Sequence, residues 1–375
     1  MVLMNFLILS TATGQGHNSA ACAVAKTLES RGCCAKVLDV LKLKDEALSK
    51  HISHLYAGVT VHTPHLFHGL YRIGQRVSSP GGRSPIYRLN TLYAARLLEE
   101  IWRFQPDAII CTHIFSAQAV TNLRECYGLD LPAAGVATDY TCIPFWEESS
   151  LDRYIIPSPA LEGEFITRGV PADRLVPAGI PVLPEFLKQI PKNEARRALG
   201  LTAAHIFLVM GGSMGYGSID RLASALTESV PDSQVVLLCG SNERLLHRVA
   251  RTEKIIPLRY TDRVSALMDA ADVVLTKPGG LSSTEAIAKR RPLVLTQPIP
   301  GCEQKNAEFL SAAGAAAFSP EIKDAVSAAR YLAQGGSAAK RMREAQMRLR
   351  PTGTDSRIAD ALTALAARSD GREDE

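Results

Sequence analysis

Thr276-Lys-Pro-Gly-Gly-Leu-Ser-Ser-Thr-Glu285-Ala286 is the stretch that decides the reading of this 375-residue chain. The run leading into it, Ala271-Asp-Val-Val-Leu-Thr276, is short and apolar, the pattern of a buried strand. Pro278-Gly279-Gly280 predict a turn in which the backbone comes close to a ligand. Ser282, Ser283 or Thr284 is expected to cap the helix that follows, whose N–H groups and positive dipole end attract a phosphate. Glu285, expected in the first turn of that helix, has two oxygens for the two hydroxyls of a ribose. After another strand (Pro292 to Gln297), Pro300-Gly-Cys-Glu-Gln-Lys-Asn306 reads as a loop offering Glu303, Gln304 and Asn306 to sugar hydroxyls. Ribose, diphosphate and sugar in one site outline a nucleotide-sugar.

The N-terminus supplies a counterpart. Phe6-Leu-Ile-Leu9 is a short apolar strand, followed by Ser10-Thr-Ala-Thr-Gly-Gln-Gly-His17 and a helical pattern from Ala20 to Leu28. Strand, glycine turn and helix form the first unit of a doubly wound α/β domain. The turn lacks the third glycine of a dinucleotide fingerprint and the Lys-Ser/Thr pair of a Walker A loop. It ends in His17, a titratable group at the mouth of the sheet.

Further strands are expected at Ala35–Asp39, Ala108–Thr112, Ala133–Thr138 and Tyr154–Ile156. Beyond a Pro-rich stretch (Pro177, Pro181, Pro184, Pro191) they resume at Ile206–Met210, Gln234–Cys239, Ile255–Leu258, Asp272–Thr276 and Leu293–Thr296. Helical patterns alternate with them, which predicts two mainly parallel sheets. A second glycine turn, Gly211-Gly-Ser-Met-Gly-Tyr-Gly217, precedes a helix from about Ile219. The expected division is an N-terminal domain over 1–180, a linker over 181–192 and a C-terminal domain over 193–354. A helix over 355–368 could join either domain, and a disordered tail is expected over 369–375.

Composition fits a soluble globular protein, with 46% hydrophobic and 21% charged residues. A net charge of +4 does not imply a nucleic-acid partner. The eight cysteines are scattered without a Cys-x-x-Cys pair, which reads as reduced core thiols in a cytosolic protein. The N-terminus has no basic n-region, and no apolar run is long enough to span a bilayer. Residues 47–98 contain no Asp or Glu. They hold Arg72, Arg76 and Arg83 among tyrosines, with His51, His54, His62, His65 and His68. Basic charge interleaved with amphipathic aromatics suits an anionic membrane surface; a solvated basic face is the alternative.

Taken in order, Thr13-Gly-Gln-Gly-His17, Thr138-Asp139-Tyr140, Gly179-Ile-Pro181, Gly211-Gly-Ser213, Lys277-Pro-Gly-Gly280 with Thr284-Glu285-Ala286, and Pro300-Gly-Cys-Glu-Gln-Lys-Asn306 resemble a known family. It is that of the monogalactosyl- and glucosyl-diacylglycerol synthases, related to the peptidoglycan N-acetylglucosaminyltransferase that forms lipid II (glycosyltransferase family 28). The resemblance implies an α/β fold of the GT-B type, two doubly wound Rossmann-like domains facing a cleft. It implies a UDP-sugar donor, a lipid acceptor, most simply diacylglycerol, and inversion at the anomeric carbon. It further implies no cofactor and a peripheral place on the inner face of the cell membrane, and with no Asp-x-Asp motif in the sequence no metal is expected. The stretch Tyr140-Thr-Cys-Ile-Pro-Phe-Trp146 is shorter than in the plant galactolipid enzymes and has no histidine. The loop at Gly211–Gly215 is closer to the peptidoglycan enzyme.

The expected catalytic residues are His17 and Asp139. Either could instead be a helix cap, and an inverting transfer needs one base to deprotonate the attacking hydroxyl. The expected donor-binding residues are Gly212, Ser213, Tyr260, Val264, Pro278, Gly279, Gly280, Ser283, Thr284, Glu285, Glu303, Gln304 and Asn306. Gly14, Gly16, Arg72, Arg76, Arg83, His113 and Trp146 are expected on the acceptor and membrane side, with His113 alternatively a plain strand-end residue. N-acetylglucosaminyl transfer to another lipid-linked acceptor, or an epimerase acting on UDP-N-acetylglucosamine, are the competing activities; the acid-free region argues against the epimerase.

Overall fold

The computed structural model describes residues 4–11, 15–43, 83–84, 87–88, 93–299 and 301–367. Most of the acid-free stretch, including Arg72, Arg76 and its five histidines, lies outside these residues, as do Gly14 and the tail 369–375. The chain divides into two compact units, Met1–Pro184 with Gly353–Glu375, and Glu185–Thr352.

The first unit carries strands β1 (Asn5–Ser10), β2 (Cys34–Asp39), β3 (Ala108–Cys111), β4 (Ala133–Val136), β5 (Arg153–Ile155) and β6 (Leu175–Val176). They form one sheet in the order β2-β1-β3-β4-β5-β6, with every pairing parallel. Its helices are α1 (Gln15–Glu29), α2 (Ala94–Phe104), α3 (Ile114–Tyr127) and α4 (Glu162–Thr167). The second unit opens with the short helix α5 (Pro184–Leu187) and α6 (Lys192–Leu199). Its strands are β7 (His205–Met210), β8 (Ser233–Gly240), β9 (Ile255–Arg259), β10 (Val273–Thr276), β11 (Leu293–Leu295) and β12 (Ala317–Phe318). Between and after them run α7 (Ile219–Ser229), α8 (Glu243–Val249), α9 (Val264–Ala270), α10 (Gly280–Ala288), α11 (Cys302–Ala312), α12 (Ile322–Ala333) and α13 (Ser337–Leu349). The sheet order is β12-β11-β10-β7-β8-β9, again all parallel. Counted within the unit this is the doubly wound 3-2-1-4-5-6 order.

Parallel strands covered on both faces must be apolar throughout, and β1, β3, β4 and β10 are fully or almost fully buried. The last helix, α14 (Thr354–Ala367), belongs to the first unit's core. Its Ile358, Leu362 and Leu365 are buried with Phe6, Ile8, Val24 and Leu28 of β1 and α1. Full burial of one such side chain contributes about 1.5–3 kcal/mol, so this helix is integral to its unit. Gly179 explains one motif: its φ is +114°, and a Cβ there would lie 2.7 Å from Thr354 Cγ2. Beside it, Val182 N donates to Asp355 Oδ1 at 3.1 Å.

The Pro-rich stretch is tied down rather than slack. Ile190 N donates to Asp269 Oδ2 at 3.2 Å, and Lys289 Nζ donates to the Lys188 carbonyl and, at 2.6 Å, to Asp269 Oδ2. Lys289 and Asp269 are both buried, and two charges out of water persist only when paired and hydrogen-bonded in this way.

Candidate active site

In an open parallel sheet, ligands collect beyond the carboxyl ends of the strands where the strand order reverses. In the first unit that point lies between β1 and β3. Leu9 of β1 is in register with Cys111 of β3, and His17, at the start of α1, lies against Thr112. Thr138 and Asp139 follow β4, the next strand over. His17, Thr112, His113, Thr138, Asp139 and Trp146 line one small recess.

His17 lies inside the first turn of α1, so it does not cap that helix. Its Nδ1 is 3.0 Å from the Thr112 carbonyl oxygen and 3.1 Å from Thr138 Oγ1. A carbonyl can only accept, so Nδ1 carries the proton and Nε2 keeps its lone pair. Burial lowers the pKa of His17 below its ordinary value, while the charge of Asp139 and the bond to Thr112 push it up. The result is a neutral imidazole with a basic Nε2 beside a carboxylate, the arrangement of a general base. Asp139 caps no helix either, because the residues after it form bends and the next helical turn starts at Trp146.

His113 is both a cap and a wall of the recess. Its Nδ1 accepts from Phe115 N at 3.1 Å at the start of α3, and its ring meets that of His17 edge-on at 4.5 Å. Burial and the neighbouring His17 hold its pKa well below the ordinary histidine value.

Trp146 and Arg83, both expected on the acceptor and membrane side, take different places. Trp146 is 2% exposed and packs against Gly135, where a Cβ would come within 2.6 Å of its ring. It faces the recess and the core, not the outside. The preceding Phe145 has φ +80°, a conformation costing a bulky residue about 1–3 kcal/mol, and it turns the chain so that Trp146 enters the interior. Arg83 forms an ion pair with Glu125, donates to the Glu148 carbonyl and stacks 4.2 Å over the Tyr87 ring. Its charge is paired at a surface open to solvent, with both side chains more than a third exposed. Sequence reasoning missed its partners: the buried Glu148 carboxylate accepts from Ser84 Oγ and Gln118 Nε2, each at 2.8 Å.

In the second unit the reversal lies between β7 and β10, and Met210 is in register with Thr276. The Gly211–Gly217 turn and the Lys277-Pro-Gly-Gly280 turn are therefore neighbours. Gly212, at φ +72°, has no room for a Cβ beside Lys277 Cε at 2.7 Å. Ser213 lies in the turn and caps nothing: Ser218 is at the N-cap of α7, and Ser213's carbonyl accepts from Ser241 N at 2.9 Å.

The helix expected to be capped by Ser282, Ser283 or Thr284 begins earlier, at Gly280, with Gly279 as N-cap and no side-chain cap bond. Thr284 Oγ1 instead bonds back to the Gly280 carbonyl at 2.7 Å. Glu285 accordingly sits in the second turn, not the first. The early start leaves the first amides of α10 without a side-chain acceptor, a geometry that receives phosphate oxygens. Gly279 has an ordinary φ of −68°, and a Cβ there would meet nothing closer than Glu303 Oε1 at 4.0 Å. The fold itself does not require glycine at 279.

Glu285 is 9% exposed, and burial together with the charge of Glu185 pushes its pKa up to about 8. Among the described residues, Thr276 Oγ1, Ser283 Oγ and Gln297 Nε2 are buried without a protein partner. An unpaired buried polar group costs about 1–3 kcal/mol, and Glu147, His205, Gln346 and Arg350 carry further such atoms elsewhere.

The second loop is a helix. Glu303, Gln304 and Asn306 lie on α11, whose start at Cys302 follows Gly301 at φ +121°. Glu303 pairs with Lys277 and accepts from Ile299 N at 2.9 Å. Asn306 Nδ2, fully buried, donates to the Pro278 carbonyl at 3.0 Å. These two brace the Pro-Gly-Gly turn from behind. Gln304 is only half-buried and bonds Glu308 at 2.8 Å. Tyr260 is 73% exposed just ahead of α9, and Val264 is the first residue of that helix. Among the described residues no three His, Cys, Asp or Glu side chains converge as metal ligands, and no helix is long and apolar enough to cross a membrane.

Fold and site together define a GT-B glycosyltransferase. Residues 17–182 match the monogalactosyldiacylglycerol (MGDG) synthase family, and residues 206–346 match the glycosyltransferase family 28 C-terminal domain. The chain belongs to this family and is a hexosyltransferase. Among curated proteins it is similar to a processive diacylglycerol beta-glucosyltransferase of Bacillus cereus (strain AH820), at 27% identity over 96% of this chain and 93% of that one. A homologue of the same name from Bacillus anthracis (strain CDC 684 / NRRL 3495) matches equally. Among solved structures, Acinetobacter baumannii MurG superposes with a TM-score of 0.59 at 14% identity, over 97% of this chain and all of that one. The calicheamicin glycosyltransferase CalG4 superposes at 0.65 and 15% identity, over 98% and 99% of the two chains. At these identities the likeness to the solved structures is one of fold.

Proposed function

We propose that this chain transfers a hexose from a UDP-sugar to the free hydroxyl of diacylglycerol, with inversion, at the inner face of the cell membrane. One observation carries the proposal: His17 has Nδ1 committed to the Thr112 carbonyl, leaving a basic Nε2 beside Asp139 at the switch point of its sheet. In the proposed step, Nε2 takes the proton of the acceptor hydroxyl as its oxygen attacks the anomeric carbon. The bond between that carbon and the diphosphate oxygen breaks, and UDP leaves with the electron pair. Asp139 stabilises the imidazolium that forms. An α-linked donor gives a β-glycoside, and no covalent enzyme intermediate or cofactor is needed.

Donor recognition is assigned to the second unit. The open N-terminus of α10, with Ser283, receives the diphosphate, where its amides stabilise the leaving UDP. Glu285 takes the ribose hydroxyls, and Gln304 is the side chain on α11 available to the sugar. The names of the Bacillus relatives support diacylglycerol as acceptor and glucose as the sugar. Membrane attachment is assigned to the acid-free region around Arg72, Arg76 and Arg83. Incubation with UDP-glucose, UDP-galactose or UDP-N-acetylglucosamine and diacylglycerol vesicles, read by mass, tests the reading. A monohexosyl product from UDP-glucose is expected. Hydrolysis of donor without glycolipid, or product only on another acceptor, would overturn it.

A further inference from the structure

Helices α12 and α13 lie on the second unit, outside the site described above. Residues 322–349 hold six cations, Lys323, Arg330, Lys340, Arg341, Arg343 and Arg348, against two carboxylates, Asp324 and Glu344. This short stretch therefore carries the same net charge, +4, as the whole chain. Among the described residues, Arg330, Lys340, Arg341 and Arg348 form no ion pair.

Between the two helices and the end of α11 runs an open groove of about 500 Å³, within the size range of ligand sites. Ala313, Ala328 and Ala345 form much of its lining, Arg341 and Arg348 stand along it, and none of its lining residues is acidic. Arg341, Ala345 and Arg348 are spaced i, i+4, i+7, so they share one face of α13, with the two arginines about 10 Å apart. Tyr331, 58% exposed, closes the groove on the α12 side. The other flank of α12 carries a second concavity bordered by Lys323 and Arg330, also without an acid.

We infer that this face docks on an anionic lipid surface, one acyl chain entering the alanine-lined groove while Arg341 and Arg348 hold the headgroup phosphates. Charge complementarity selects an anion. The apolar lining selects an acyl chain over an acidic peptide: a peptide backbone entering the groove needs partners for its N–H and C=O groups, and alanine side chains supply none. Tyrosine beside arginine is also the side-chain pair that settles at a bilayer interface. The inference does not depend on the transferase reading.

The test uses the full chain with Tyr331→Trp as a local reporter, the unsubstituted chain giving the background from Trp102 and Trp146. Phosphatidylglycerol vesicles with brominated acyl chains should quench the new tryptophan, and brominated phosphatidylcholine vesicles should not. Adding Arg341→Glu and Arg348→Glu should weaken phosphatidylglycerol binding more than about tenfold, since each cation near such a surface is worth several-fold in affinity. Calorimetric UDP binding by that variant should stay at the wild-type value, which separates lost docking from lost folding. No quenching, equal quenching by phosphatidylcholine, or phosphatidylglycerol binding insensitive to the two reversals would each overturn the inference. Recovery of quenching by brominated chains in an acidic apolar peptide, but not in lipid, would move the site to a protein partner.

Discussion

The turn after β1 and the turn after β10 occupy the same kind of place, the switch point of a parallel sheet, yet their side chains are satisfied differently. Around His17 the protein supplies its own partners: the Thr112 carbonyl and Thr138 hydroxyl fix the imidazole, and Phe115 N fixes His113. Around Gly279 the bracing is done from behind, by Glu303 on Lys277 and Asn306 on Pro278, while Ser283, Thr276 and Gln297 keep buried polar atoms unpaired. A group that must hold one tautomer needs fixed neighbours. A surface that must receive a hydroxylated, charged ligand needs donors and acceptors not yet taken. The difference assigns proton chemistry to the first turn and binding to the second.

The sharpest way to break that assignment is His17→Ala. Turnover should fall about 10²–10⁴-fold while UDP affinity by calorimetry stays unchanged. Because burial lowers the His17 pKa, wild-type activity should also persist below the ordinary histidine range as pH falls, until Nε2 is protonated. Loss of UDP affinity in the variant would merge the two sites.

Glu285→Gln tests the other side, with turnover at saturating donor much less affected than donor binding. Losing a charged bidentate acceptor costs about 1.5–3 kcal/mol in UDP binding. Two ribose hydroxyls donate best to the ionised carboxylate, so UDP should bind the wild type more tightly as pH rises toward about 8, with proton release; the variant should show neither. Stability carries the same signature. A carboxyl whose folded pKa is raised from 4.5 to about 8 stabilises the fold fully below 4.5, and that contribution is lost as pH rises through 8. The stability of wild type relative to Glu285→Gln should decline across that window. A flat difference would return Glu285 to an ordinary solvated carboxylate.

Gly279→Ala should leave thermal unfolding unchanged and weaken UDP by about 1–3 kcal/mol, the cost of overfilling a close contact. Equal loss of stability would show that the fold, not a ligand, needs glycine there. At the first unit, Glu148→Ala strands Ser84 and Gln118 and should cost about 1–3 kcal/mol of stability with UDP affinity untouched.

Ten of the strands were legible from the sequence: the inner ones as apolar runs, because a parallel strand buried on both faces must be apolar, and the half-buried edge strands β2 and β9 from their place in the alternation. The two that were not, β6 and β12, are two residues long and carry no pattern. The places of His17 and Glu285 at strand-to-helix turns were legible from the strand–turn–helix pattern, but the strand order and their surroundings were not. Gly279 took the cap that Ser282 to Thr284 were expected to fill, since a glycine at the N-cap needs no side-chain bond once helical dihedrals begin at Gly280. Pro300-Gly301 read as a loop signal, whereas Gly301 is the N-cap of α11, where Glu, Gln and Lys are good helix formers. The partners of Arg83, Glu125 and Glu148, lie far along the chain, and only the fold brings them together.

The most direct measurement is the nitrogen-15 spectrum of the His17 ring in the full chain, assigned by its loss in His17→Gln. The account predicts a proton on Nδ1, a pyridine-like Nε2, and no protonation of the ring until the pH falls below the ordinary histidine value. A proton on Nε2, or a ring already charged near neutral pH, would contradict His17 as the base.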